Sequence, residues 1–441
     1  MNAVTGTLTA LSGTDAALRR ARLAVYVTFA IPGIALGVWT ARIPAIKERL
    51  ALGDGQLSLA LLAVAAGALA GMQVIGRLVD RHGGANVMVP LAFAQAVVLL
   101  LPAAMPDLIG LAASLALFGV VHGMLDIAMN AVAVEVERAW RRPLMSSFHA
   151  VFSVGGFAGA AIGGLFAHAG VGAWPTFAVT AALLAVLAAV GSLPILRAMP
   201  AVRAAEAGRY ASSISAVPGD AAPTKATDTT ETAETDAAAS PGAPGTNGGT
   251  PARANTGALS VLFLGLLAFC CMIGEGASAD WGSVYLREDL GSSAGLAAAA
   301  YATFSIMMTA GRLAGDRLAA RFGPVALVRS CGLLAGTGFA AALLVGHPVA
   351  GIIGFGCFGA GLSCIVPLVF SAAGNRDPAR AGRALARVAG LGYTGLLTGP
   401  VLIGGASEAI GLPRALAIPA ALALFVALAA PAVRDARAAR R

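Results

Sequence analysis

Charge is scarce in this chain. Of 441 residues only 12% are Asp, Glu, Lys or Arg, about half the share of an average soluble domain. Aromatic residues make up 6%. The cysteines (Cys270, Cys271, Cys331, Cys357 and Cys364) all lie in apolar stretches and lack metal-ligand or disulfide spacing. They read as small packing residues. No Gly-rich loop ends in Lys-Ser or Lys-Thr, which argues against an ATP-driven pump, and no His-Glu-x-x-His occurs. A Gly-x-Ser-x-Gly strand turn has no place in an all-helical chain. Neither enzyme chemistry, nor a metal, nor a cofactor is therefore expected.

What the chain has instead is apolar length. Hydrophobic residues reach 58% and 56 residues are glycine, with a mean hydropathy of +0.80. Disorder needs low hydrophobicity and a collagen-like fibre needs glycine at every third position; neither pattern is present. The chain reads as an integral membrane protein with the lipid bilayer as solvent. The formal charge of +8 does not point to nucleic acid, because the arginines are spread between apolar runs rather than clustered on one soluble face. Arg19, Arg20 and Arg22 precede an apolar run from Leu23 to Ala41. That run is too long for a signal peptide and no small-residue cleavage site follows, so it reads as an uncleaved first span.

A span needs about 20 mostly apolar residues. Six candidates cover 23–41, 57–76, 87–105, 108–134, 145–167 and 174–196; six more cover 258–280, 293–311, 324–345, 348–371, 384–406 and 413–433. Between Leu196 and Leu259 there is no Leu, Phe or Trp. Such a segment buries too little apolar surface to order itself and reads as a linker. The expected division is a six-helix bundle over 1–200, a disordered cytoplasmic linker over 201–256, and a second bundle with a basic tail over 257–441. With both termini placed inside, 25 of the 30 Lys and Arg residues fall on the inner side, the bias expected of a cytoplasmic face. Deleting residues 220 to 250 is expected to leave folding and flux nearly intact.

The halves repeat each other. The second span ends in Gly76-Arg77-Leu78-Val79-Asp80-Arg81-His82-Gly83; the eighth ends in Gly311-Arg312-Leu313-Ala314-Gly315-Asp316-Arg317, with Arg321-Phe322-Gly323 closing the turn. Trp39 pairs with Trp281, Leu52-Gly53 with Leu290-Gly291, and Phe118-Gly119 with Phe358-Gly359. Parallel six-helix repeats are a carrier architecture.

Twelve spans, a central linker and this doubled turn resemble the major facilitator superfamily, over the whole chain except linker and tail. Asp126-Ile127-Ala128-Met129-Asn130, Ser147-Phe148-His149-Ala150-Val151-Phe152-Ser153, Ala279-Asp280-Trp281 and Gly392-Tyr393-Thr394-Gly395 with Gly399-Pro400 are similar to a bacterial inner-membrane branch near the fucose-permease-like carriers. The resemblance implies an all-α fold of two pseudo-symmetric six-helix bundles and alternating access. The branch resemblance does not transfer a substrate; the leading expectation is a carrier of a small polar or amphiphilic solute, sugar-like or organic, taken up with a proton. Proton-coupled efflux, or a receptor that has kept the carrier fold, stand as alternatives. A monomer is expected. The resemblance also makes the doubled turn a conformational latch: Gly76, Arg77, Asp80, Arg81 and Gly83 with partners Glu135 and Arg387, and Arg312, Asp316 and Arg317 in the second copy. The plainer alternative for the arginines is topology alone. The proline that antiporters of the superfamily often carry in the fifth span is missing from Gly159-Ala160-Ala161-Ile162-Gly163-Gly164.

His122, Asp126 and Asn130 stand at i, i+4 and i+8, on one face of the fourth span. Asp126 lies roughly 13 Å from Glu135 along the helix axis. A lipid-facing carboxylate there would cost about 2.5 kcal/mol or more, so it must face a cavity or a partner. Two readings stand: a proton or substrate site, or a buried polar packing network. His149 of the fifth span is expected to approach the same region, and Glu275 is a second candidate. Glu137, beside Arg138, Arg141 and Arg142, reads as solvated. Arg42 is expected to close an outer gate with Glu275 or Asp280; interfacial anchoring is the competing reading. Gly155, Gly159 and Gly163 allow close helix approach.

Overall fold

The computed structural model describes residues 2–215, 252–376 and 378–434. Among these residues the regular elements are helical and no strand occurs. The first half consists of α1 (Asn2–Arg49), α2 (Asp54–His82), α3 (Gly84–Val98, resumed at Leu101–Ala104), α4 (Leu108–Trp140), α5 (Met145–His168) and α6 (Ala173–Ser215). The second consists of α7 (Ala252–Val284, prolonged by a π turn over Tyr285–Asp289), α8 (Ala294–Phe322), α9 (Pro324–Val345), α10 (Pro348–Leu362, resumed at Ile365–Arg376), α11 (Ala381–Ile410) and α12 (Ala417–Ala429). Eleven helices among the described residues are long and apolar enough to cross a membrane. The remaining one, α8, has the same 29-residue length as α2. The protein is thus a twelve-helix bundle pair, and its spans fall where the apolar runs place them.

Lipid tails are as apolar as leucine, so helices in a membrane associate by close packing rather than by hydrophobic exclusion. Glycine allows that approach. A Cβ on Gly159 of α5 would lie 2.2 Å from the carbonyl oxygen of Ile34 on α1. One on Gly119 of α4 would lie 2.0 Å from that of Val64 on α2. The second half repeats both pairs. Gly395 of α11 meets the backbone of Phe269 on α7, and Gly359 of α10 meets that of Phe304 on α8. Each half therefore pairs its first helix with its fifth and its second with its fourth. The doubled turn has one geometry in both copies. Gly83 closes α2 at φ +83° with its N–H on the Val79 carbonyl; Gly323 closes α8 at φ +80° with its N–H on the Ala319 carbonyl. A side chain would be strained at either position.

Helix α6 does not stop at residue 200, where the linker was expected to begin; it runs to Ser215. Ion pairs hold the extension to α4, Arg203 with Glu135 at 3.2 Å and Arg138 with Glu206 at 2.9 Å. Most of the expected linker, 216–251, and the tail beyond 434 lie outside the described residues. The face on which α6 ends and α7 begins is called the linker face below.

Candidate functional site

Three carboxylates join the two halves at the linker face, and two of them follow from the repeat. A helix N-terminus presents unsatisfied backbone N–H groups and a positive dipole end, which a carboxylate can satisfy. Asp80 at the end of α2 accepts from the Gly382 N–H at 2.9 Å, at the start of α11, and from Arg383 at 2.7 Å. Asp316 at the end of α8 accepts from the Ser146 and Ser147 N–H groups at 3.0 and 3.2 Å, at the start of α5. Each copy of the turn thus caps the fifth helix of the opposite half.

The expected partners of Asp80 are not the ones it meets. Arg387 is exposed, and Arg383, one helical turn earlier, takes its place. The spacing of both arginines puts them on the same face of α11, and only the docking of the helices selects between them. Glu135 belongs to the Arg203 pair within its own half. Arg77, Arg81 and Arg317 are exposed.

Glu137 is the third carboxylate. It is buried rather than solvated, accepts from the Leu144 and Met145 N–H groups at 2.7 and 2.9 Å, and takes the Ser371 hydroxyl of α10 from the other half. The chain doubles back after Trp140, which brings the start of α5 onto the Glu137 carboxylate. The charge run around Glu137 hid that reversal in the sequence.

Deeper between the halves lies a cavity of about 200 Å³. On one wall Asp126 accepts from the Asn130 side-chain amide at 3.0 Å, which also donates to the Asp126 backbone carbonyl at 2.8 Å. His149 of α5 meets Asn130 Oδ1 at 3.1 Å, so its Nε2 is the protonated ring nitrogen in this network. His122 stacks on Phe118, and its Nδ1 is buried without a hydrogen-bond partner among the described residues. The four residues singled out on α4 and α5 are brought together.

The facing wall comes from the second half. Glu275 of α7 lies 3.9 Å from Arg312 of α8, too far for a hydrogen bond. Arg312 donates to Ser153 Oγ of α5 at 2.7 Å, so it spans the halves inside the cavity. Tyr393 of α11 completes the polar set, among Phe152, Phe370 and Met272. His149 meets Phe370 edge to face across the halves, at 5.9 Å between ring centroids.

Arg312 is a correction to the latch expected from the motif. It is buried and lines the cavity, whereas its repeat counterpart Arg77 is exposed. Side chains on a helix lean toward its N-terminus; along α8 that direction leads away from the linker face and into the cavity. The outer gate is also not made. Arg42 is buried and donates to the Val171 carbonyl in its own half at 2.6 Å, Asp280 is exposed, and Glu275 faces Arg312. Ser153 and Tyr393 lay inside stretches that drew notice in the sequence, yet only the fold sets them beside charged groups.

A paired set of six-helix bundles with buried charges at their interface, closed by carboxylates on one face, defines a membrane carrier. The chain belongs to the Major Facilitator Superfamily, whose model matches residues 23–381, and it is a transporter. It is 31% identical over 378 residues to an uncharacterised MFS-type transporter of Yersinia pestis, covering 86% of each chain. It is 28% identical over 396 residues to the membrane protein MosC of Rhizobium meliloti, covering 89% of this chain and 84% of that one. Among solved structures, the transporter FucP in its outward conformation superposes with a TM-score of 0.66 at 17% identity, over 94% of this chain and 98% of that one. The human organic anion transporter MFSD10 gives a TM-score of 0.66 at 14% identity, over 95% and 99%. At such identities these structures speak for the fold alone.

Proposed function

We propose that this protein is a monomeric proton-coupled carrier of a bacterial inner membrane. It takes up a small polar or amphiphilic solute through the central cavity. One observation carries the reading: Asp126, Glu275 and Arg312 face a cavity between the two bundles, deep in the membrane-spanning region. Charges in that position are costly unless they serve an ion or solute pathway. FucP is described as a fucose:proton symporter and XylE as a proton:xylose symporter; they share the fold, and proton coupling with a sugar-like or organic solute is carried to this chain only as part of this proposal. The linker face, rich in arginine, is the cytoplasmic face. The bundles α1–α6 and α7–α12 rock against each other about the cavity, with the segment between them as a tether. Asp80 and Asp316, with Gly76, Gly83 and Arg383, hold the linker face closed. Arg42 and Asp280 approach only when the opposite face closes.

In this reading Asp126 carries the proton. It releases the proton when the cavity opens to one side and regains it from the other. The decisive experiment is solute accumulation in proteoliposomes under an imposed proton gradient, with the solute first identified by thermal-shift screening. Symport drives uphill accumulation into the proton-poor compartment; accumulation on the proton-rich side would reverse the direction, and flux indifferent to the gradient would remove the coupling.

A further inference from the structure

A second cavity, of about 470 Å³, lies between the bundles at the linker face. Arg138, Arg141 and Arg142 line it from the end of α4 and the turn that follows; Ser371 and Asn375 line it from α10 of the other half. The charges in it do not cancel. Arg138 is paired with Glu206. Glu137 also lines the cavity, but the Leu144 and Met145 amides and the Ser371 hydroxyl occupy its oxygens. Arg141 and Arg142 are exposed and make no ion pair among the described residues. Asn375 Nδ2 donates to the Ser371 hydroxyl oxygen at 3.4 Å, which leaves the second N–H of its amide.

The backbone at Arg141 sets where the arginine stands. Arg141 ends α4 at φ +60°, ψ +23°, in the left-handed region. Helix ends of this kind usually place glycine there, because a Cβ is strained in that conformation. Here an arginine occupies the position and lines the cavity. A guanidinium presents a planar fork of N–H donors that matches the oxygens of a phosphate group.

We propose that this cavity binds a phosphate group, presented by an anionic phospholipid headgroup or by a soluble phosphate, between Arg141 and Arg142 of one half and Asn375 of the other. Both halves contribute, so the site is complete only while the linker face is closed. A ligand that binds one conformation shifts the population toward it. Occupancy therefore favours the closed linker face and slows its opening. The site is separate from the central cavity and does not depend on the identity of the transported solute.

The test uses the full-length chain in nanodiscs. In one arm, phosphatidylcholine discs are titrated with inorganic phosphate against chloride at equal ionic strength. In the other, discs containing phosphatidylglycerol are compared with phosphatidylcholine alone. The thermal unfolding midpoint is expected to rise in at least one arm: a rise with phosphate identifies the soluble source, and a rise only with phosphatidylglycerol identifies the lipid. Arg142→Gln and Arg141→Gly should each weaken the apparent affinity by about two- to fivefold, the range for losing one charged contact at an exposed site. Arg141→Gly should also insert and fold normally, since glycine suits that backbone. Arg197→Gln, on α6 outside the cavity, should leave the response unchanged. Spin labels at the exposed positions Asn86 and Arg321 should report a larger short-distance population when the active ligand is present. No response in either arm, or an Arg197→Gln effect as large as that of Arg142→Gln, would overturn the site. An unaltered distance distribution under saturating ligand would overturn its conformational role.

Discussion

Asp126 shows how little of a residue's role its own position reveals. Its spacing from His122 and Asn130 is a property of the helix, yet its acceptor bond from Asn130 and the contact of Asn130 with His149 are properties of two helices. Asp126→Asn keeps the shape and removes the exchangeable proton. It is expected to abolish gradient-driven accumulation while sparing equilibrium solute binding; wild-type accumulation would move the proton site to Glu275. Loss of membrane insertion would instead favour a buried packing network. Arg312 makes a complementary case. Ser153→Ala removes its bond across the halves, at 2.7 Å, and leaves Glu275 beside it. Bonds to charged groups contribute about 1.5–3 kcal/mol. The variant should therefore shift the conformational equilibrium, read by accessibility labelling of the two ends of the cavity. Unchanged labelling would reduce the Arg312 contact with Ser153 to a packing feature.

At the scale of the helix, glycine positions separate into those the packing requires and those it does not. Gly159 faces the backbone of α1, while a Cβ on Gly164 would meet nothing within 4 Å. Gly159→Leu should force α1 and α5 apart and lower the yield of inserted, thermally stable protein, whereas Gly164→Ala should leave both near wild type. A Gly159→Leu variant with normal stability would mean that the α1 and α5 contact is not the one described. The i, i+4 pattern marked both positions as small, but a pattern cannot say which face meets a partner helix. The same ambiguity of register placed Arg387 rather than Arg383 opposite Asp80. It also left Glu137 in solvent, because a sequence does not show the chain returning over its own helix end.

At the scale of the molecule, the halves hold each other by carboxylates on helix N-termini. Asp80→Asn leaves the Gly382 amide an acceptor but removes the charge. The expected loss is about 1 kcal/mol, the order of a helix-terminus charge together with a partly exposed ion pair, or roughly a fivefold shift toward an open linker face. Single-cysteine labelling on the two faces would register that shift, and equal labelling of wild type and variant would leave Asp80 a topology residue. Because these contacts join the bundles directly, deleting residues 220–250 should leave insertion and flux near wild type. Lost transport in a well-inserted deletion variant would assign the linker a partner.

The sequence by itself determined the solvent, the number of spans and the internal repeat, because each depends on composition and spacing along one helix. Apolar runs of about 20 residues leave few alternatives in a bilayer, and the duplicated Gly83 and Gly323 turns announce the two halves. It also placed His122, Asp126 and Asn130 on a single face of α4. Which residues of different helices meet was decided only by the tertiary structure. A shift of about one turn along the axis of α11 exchanges Arg383 for Arg387, and a rotation of α8 about its axis turns Arg312 from the membrane surface into the cavity. Both are set by the packing of α2 on α11 and of α5 on α8, where side chains distant in the chain compete for the same space. No local pattern records the result of that competition.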